Sequence, residues 1–194
     1  MDNYSLILAS NSPRRAELLS QLQVRFTKHP VDIDETPFQN ESAISLVKRL
    51  SLTKARVGFK QADVNLPTLG SDTVVVYAGH ILGKPRDFDD SKRMLSLLSG
   101  NTHQVLTSVA VVTNDNAVEK TVITDVTFKS LSEKEIAWYW QTGEPQDKAG
   151  SYGIQGLAGQ FVTEIRGSYS AVVGLPLYET RQLLNEVGVG FCER

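Results

Sequence analysis

Short apolar runs alternate along this chain with stretches whose apolar residues recur every three or four positions, and the two periods lay out its elements. Ser5 to Ala9 predicts a buried strand. Ser12 and Pro13 then open a helix to about Leu22, a capping hydroxyl followed by proline at the first helical position. Arg25 to Pro30 predicts a second strand, VDIDETP a loop bearing three carboxylates, and about Ser42 to Val57 a longer helix. Thr68 to Tyr77 and Ile81 to Gly83 read as a hairpin turning at Gly79. Asp87 to Leu98 is helical and stops at Gly100. Strands follow at about Gln104 to Thr113 and Val118 to Lys129, joined by Asn114, Asp115 and Asn116. Ser132 and Glu135 form a capping box that opens a helix containing Trp138. After the glycine-rich stretch Lys148 to Gln160, the chain predicts a strand from Phe161 to Ile165 and a last helix from Leu177, ended by Gly188.

Strands and helices mix throughout, and the hairpins need antiparallel pairs, so the fold class is α/β: a mixed central sheet flanked by helices, with a cleft expected. Neither an internal repeat nor a low-complexity linker interrupts it.

The helix from Ser42 repays a wheel projection. Ala43, Leu46, Val47, Leu50 and Val57 share one stripe, and at 100° per residue Lys54 falls in its middle. Either the lysine stem lies along apolar surface while its head reaches water, or an ammonium is aimed into the interior.

Composition narrows the partners. At 194 residues the chain can bury a substantial core, and one domain spanning 1–194 is expected. A net charge of −2 and a pI near 5.9 supply no general basic field for a nucleic-acid backbone, so any phosphate recognition must be local. MDNYSLILAS places no basic segment ahead of a long apolar one, and no run reaches the roughly 18 apolar residues of a membrane span. A soluble, cytoplasmic protein is expected. The single cysteine, Cys192, excludes an internal disulfide framework and a cysteine-built zinc site, and His29, His80 and His103 are scattered.

Candidate chemistry sits at the strand ends and helix starts. Arg14 and Arg15 follow Pro13 at the positive pole of a helix dipole, where cations are disfavoured unless an anion lies between them and the helix. Asp72 interrupts an apolar, β-branched strand. A three-residue turn of Tyr77, Ala78 and Gly79 would set Asp72 opposite Lys84, either as a cross-strand ion pair or as a site holding a metal ion and a phosphate. With Asp34, Glu35 and Lys54 these residues resemble the parts for hydrolysing a polyphosphate: carboxylates for Mg²⁺ and water, cations for phosphate charge. GSYGIQGLAG lacks the lysine and hydroxyl ending of a nucleotide P-loop.

The strings LASNSPRRAELL, VDIDE, RLSLTKA, LGSDTVV, GKPRD, TDVTF, DKAGSYGIQG and VVGLPL, in that order over nearly the whole chain, resemble the Maf family of nucleoside triphosphate pyrophosphatases. The resemblance implies two lobes around a central cleft, a homodimer, and kinship with inosine-triphosphate pyrophosphatases. It also implies cleavage between the α and β phosphates to a nucleoside monophosphate and pyrophosphate. On the matching positions, Asp72 would be the proton acceptor for water, and Glu35 with Asp72 would hold a divalent cation, Mg²⁺ or Mn²⁺. Ser10, Arg15, Lys54 and Lys84 would line the triphosphate path. Arg14, Thr73 and Gln155 match the branch acting on dTTP, UTP and modified pyrimidine nucleotides; the 7-methyl-GTP branch carries tryptophan, glutamine and glutamate there. Maf proteins are also linked to inhibition of septum formation, which leaves a nucleotide sensor acting through a cell-division partner as the alternative function. Single-stranded nucleic-acid binding is disfavoured by the acidic balance and the lack of an aromatic platform beside a basic groove.

Overall fold

The structure is a computed structural model that describes residues 4–190, so Cys192 lies outside the described residues. It begins with a βαβ unit: β1 (Leu6–Leu8), α1 (Pro13–Gln21) and β2 (Phe26–Lys28), with β1 parallel to β2 and, on its other side, to β3 (Thr68–Tyr77). All three residues of β1 are fully buried, as an apolar run covered on both faces requires. Ser12 caps α1 as expected, its side chain accepting from the Arg15 amide.

Helix α2 (Ala43–Gln61) is capped by Ser42 and continues beyond the expected end at Val57. Gly58 does not stop it, because packing holds it there: a Cβ at Gly58 would stand 2.8 Å from Ala9 Cβ. The wheel stripe is buried at Leu46, Val47 and Leu50, and it continues through Ser51, Lys54, Ala55 and Gly58.

The hairpin of β3 and β4 (His80–Leu82) has a different register from the one expected. Tyr77 pairs with His80 across a two-residue turn of Ala78 and Gly79, whose φ values are 48° and 79°. Two positive φ values define the mirror-image turn that matches strand twist. Alanine rarely accepts such a φ, which is why composition pointed to a longer turn. Every cross-strand partner therefore shifts by one, β4 ends at Leu82, and the ladder does not set Asp72 opposite Lys84.

The remaining elements are α3 (Phe88–Leu98), β5 (Thr102–Val112), β6 (Ala117–Phe128), α4 (Glu133–Gln141), β7 (Val162–Arg166), α5 (Tyr169–Val173) and α6 (Leu177–Glu186). The Ser132–Glu135 capping box is formed. Helix α5, which the pattern did not reveal, starts where Ser168 Oγ accepts from the Ala171 amide. Between α4 and β7 the chain, including the glycine-rich stretch, makes three 3-10 turns, Glu144–Asp147, Ala149–Ser151 and Leu157–Phe161. The sheet is mixed and seven-stranded, ordered β2-β1-β3-β5-β6-β7 with β4 paired to β3.

The chain divides into two compact units. The first comprises residues up to Asp72, Thr107–Val122 and the chain from Gly174; the second comprises Thr73–Leu106 and Ile123–Val173. In the first, Ala55, Ala110 and Val112 pack with Leu52 and Phe59. In the second, Phe128 meets His103, Tyr152 and Phe161 edge-on at centroid distances of 5.0, 4.8 and 6.1 Å. Among the described residues, no helix is long and apolar enough to cross a membrane.

Candidate active site

The centre of the first unit is a lysine held by two carboxylates. Gly70, two residues before Asp72 in β3, carries no side chain, and α2 lies directly on it: a Cβ there would be 2.3 Å from the Ser51 carbonyl oxygen and 2.5 Å from the Ala55 nitrogen. That approach puts Lys54 over the strand. Its Nζ donates to Asp72 Oδ1 at 2.7 Å and lies 2.5 Å from Glu35 Oε1. Lys54 and Asp72 are 8% and 6% exposed, so each depends on the other for charge compensation. Of the two readings of Lys54, the structure adopts the inward one.

Glu35 comes from the VDIDETP loop, which is held from both sides. Asp34 Oδ1 accepts from the Thr36 amide at 2.9 Å, and this bonding lowers the Asp34 pKa. Arg49 donates to the Thr36 carbonyl at 3.0 Å, makes a two-pronged pair with Glu41, and stacks 4.0 Å from the Phe38 ring centroid. Asp34 thus shapes the loop while Glu35 reaches the lysine.

Arg15 Nε donates to the Gly174 carbonyl at 2.9 Å, and Ser71 Oγ donates to the same oxygen at 3.0 Å. The start of α1 is thereby tied to the residue beside Asp72. Burial lowers the Arg15 pKa and Asp72 opposes that shift, which leaves a guanidinium charged at any ordinary pH. Ser10 is buried, and its hydroxyl accepts from the Ser12 amide at 3.1 Å. Arg14 is half-buried on the first turn of α1.

So the first unit brings Glu35 and Asp72 each into contact with Lys54, with Arg15 placed by Gly174. The other expected site residues belong to the second unit: Thr73 is half-buried in β3, while Lys84, after β4, and Gln155, in the glycine-rich segment, are exposed. Sequence reasoning missed Gly174, because nothing in a residue type announces that its carbonyl will collect two donors. It also missed Glu144, whose carboxylate accepts from the amides of Leu157 and Ala158 at 2.9 and 3.4 Å. Among the described residues, no group of three or more histidine, cysteine, aspartate and glutamate side chains could hold a metal ion by itself. Two carboxylates converging on one cation can take a divalent ion jointly with a substrate's phosphates.

A mixed α/β protein with this cluster of carboxylates and cations is equipped as a phosphoanhydride hydrolase would be. Residues 5–187 match the family model described as Maf-like protein, and the chain belongs to that family. It is 58% identical over 180 residues to the dTTP/UTP pyrophosphatase of Pseudoalteromonas translucida, covering 93% of this chain and 95% of the relative. It is 57% identical over 182 residues to the dTTP/UTP pyrophosphatase of Vibrio parahaemolyticus, covering 94% and 96%. With that of Pseudoalteromonas atlantica it shares 56% over 188 residues, covering 95% and 97%.

Proposed function

We propose that this chain is a metal-dependent nucleoside triphosphate pyrophosphatase that hydrolyses dTTP and UTP between the α and β phosphates, removing pyrimidine nucleotides from the pool. The observation that carries the chemistry is the Lys54 ammonium held between Glu35 and Asp72. The pyrimidine substrate follows from the names of relatives sharing more than half their residues with it.

In this reading Asp72 takes a proton from water, the water oxygen bonds to the α-phosphorus, and the bond from that phosphorus to the α,β-bridging oxygen breaks. The products are a nucleoside monophosphate and pyrophosphate. Lys54, Arg15, Lys84 and Ser10 bind the triphosphate and compensate its charge. Glu35 and Asp72 would hold a divalent cation, Mg²⁺ or Mn²⁺, which when bound supplies Lewis-acid polarisation of phosphate oxygens. Arg14, Thr73 and Gln155 select the base. A glutamine amide both donates and accepts, as the imino and carbonyl edge of thymine or uracil demands. The proposed substrates belong to the cytoplasmic pool, where the protein would act as a homodimer.

Incubating the purified protein with Mg²⁺ and dTTP, UTP, GTP or 7-methyl-GTP tests this reading. Pyrophosphate should appear with dTTP and UTP at a kcat/KM at least about tenfold above that for GTP. Release of orthophosphate, preference for a purine, or tight binding without turnover would overturn it.

A further inference from the structure

The turn that carries Gln155 is fastened on both sides to one buried phenol and one carboxylate. Tyr139 lies in α4 with its side chain fully buried, and Glu144 opens the first 3-10 turn after it. Tyr139 hydroxyl donates to Glu144 Oε1 at 2.7 Å and accepts from the Gly153 amide at 3.1 Å. Glu144 Oε2 accepts from the Leu157 amide at 2.9 Å, and Oε1 accepts from the Ala158 amide at 3.4 Å. Gly153 and Leu157 thus anchor the two ends of the segment Ile154–Gln155–Gly156, which closes on itself through the Gly156 amide and the Gly153 carbonyl at 3.0 Å.

The fit leaves no room for drift. A Cβ at Gly156 would stand 2.2 Å from Glu144 Oε2 and 2.4 Å from Cδ, so the carboxylate lies flat against that backbone. The bond from Gly153 and the charge of Glu144 act in opposite senses on the Tyr139 phenol, but burial dominates and raises its pKa, so it remains a donor. A carboxylate accepting backbone amides makes stronger hydrogen bonds than a neutral acceptor does. Gln155 projects from this turn and is exposed.

We infer that Glu144, with Tyr139, is a positioning residue for nucleobase selection: it fixes the turn on which Gln155 is presented. This rests on the proposed role of Gln155 in base reading. A specificity residue must be held in one place by its surroundings, and loss of that support relaxes selection before it abolishes turnover.

The test is a double-mutant cycle scored on the ratio of kcat/KM for dTTP to that for GTP, in Glu144→Gln, Gln155→Ala and the double variant, with folding checked by circular dichroism. Glu144→Gln keeps the shape but turns one acceptor oxygen into a donor facing backbone amides. It should bring the ratio to within about twofold of the Gln155→Ala value while dTTP kcat falls less than about threefold, and the double variant should match Gln155→Ala alone. A merely structural role would depress both substrates alike and leave the ratio at the wild-type value, which would overturn the inference. Full additivity of the two losses would also overturn it. An unchanged ratio in Gln155→Ala would remove the base-reading role of Gln155, and this inference with it. If Glu144→Gln fails to fold, Tyr139→Phe supplies the same test, since it keeps the ring and removes the hydroxyl that anchors Gly153. A lowered ratio supports the inference, and a wild-type ratio overturns it.

Discussion

Gly70 of β3 and Ser51 of α2 stand in backbone contact, with room for no side chain between them: a Cβ at Gly70 would lie 2.3 Å from the Ser51 carbonyl oxygen. This is the approach that carries Lys54 onto Asp72. Gly70→Ala should therefore move α2 and cost stability at or above the upper end of the ~1–3 kcal/mol usual for overpacking. It should also reduce turnover, because Lys54 moves with the helix. Gly190→Ala, where an added Cβ meets nothing within 4 Å among the described residues, should change stability by less than about 0.5 kcal/mol. Urea unfolding of the two variants beside wild type measures the difference, and equal midpoints would refute the packing argument.

Asp72→Asn preserves shape while removing the proposed proton acceptor. Turnover of dTTP should fall by about 10² to 10⁴, the usual worth of a general base. A folded variant retaining more than about a third of the wild-type rate would exclude Asp72 from that role, since such a loss is well under 1 kcal/mol.

Lysines separate by position. Lys54→Ala and Lys84→Ala should each lower kcat by about 10² to 10³ if both compensate phosphate charge. Lys120 is exposed on β6 and donates to Gln182 Oε1 at 2.8 Å, so Lys120→Ala should leave kcat within about twofold. Steady-state rates of the three proteins decide this; three equal rates would contradict it.

The pattern of sequence disclosed most elements and the core stripe of α2, because burial and period leave a direct imprint on residue type. Capping did so too, at Ser12 and Ser132. What it hid depended on pairing between distant residues. The β3–β4 register turned on Ala78 accepting a positive φ, which composition argues against. Lys54 sat ambiguously on its wheel until Gly70 showed how near the strand lies, and no residue type foretells that Asp34 turns back to the Thr36 amide while Glu35 meets Lys54. Glu144 reads as an ordinary loop carboxylate, since its partners are main-chain amides beyond Gly153 that carry no identity in the sequence.

His103 gives a prediction about acid. It is 2% exposed, its Nε2 is 2.8 Å from the Tyr152 hydroxyl, and burial lowers its pKa to about 4. The unfolded chain takes up a proton at this residue near pH 6.5 while the folded protein does not, so unfolding binds protons between those values. The stability from neutral His103 is present above about pH 6.5 and is lost as pH falls toward 4, by about 3 kcal/mol over the window. His103→Gln should flatten the wild-type slope of unfolding free energy against pH by about that amount. Parallel slopes would show that His103 is not the group responsible.

The sheet order described above also bears on how copies of this chain meet. Among the described residues, β2, β4 and β7 each have a single paired neighbour, so they are strands at which another chain could extend the sheet. β2 and β4 are three residues long, and β7 carries Glu164 and Arg166, joined at 2.9 Å, on exposed positions. Short, charged borders of this kind discourage fibre growth and strand exchange. Sheet extension between copies is thereby disfavoured, and concentrating the protein should yield discrete assemblies rather than open-ended polymers.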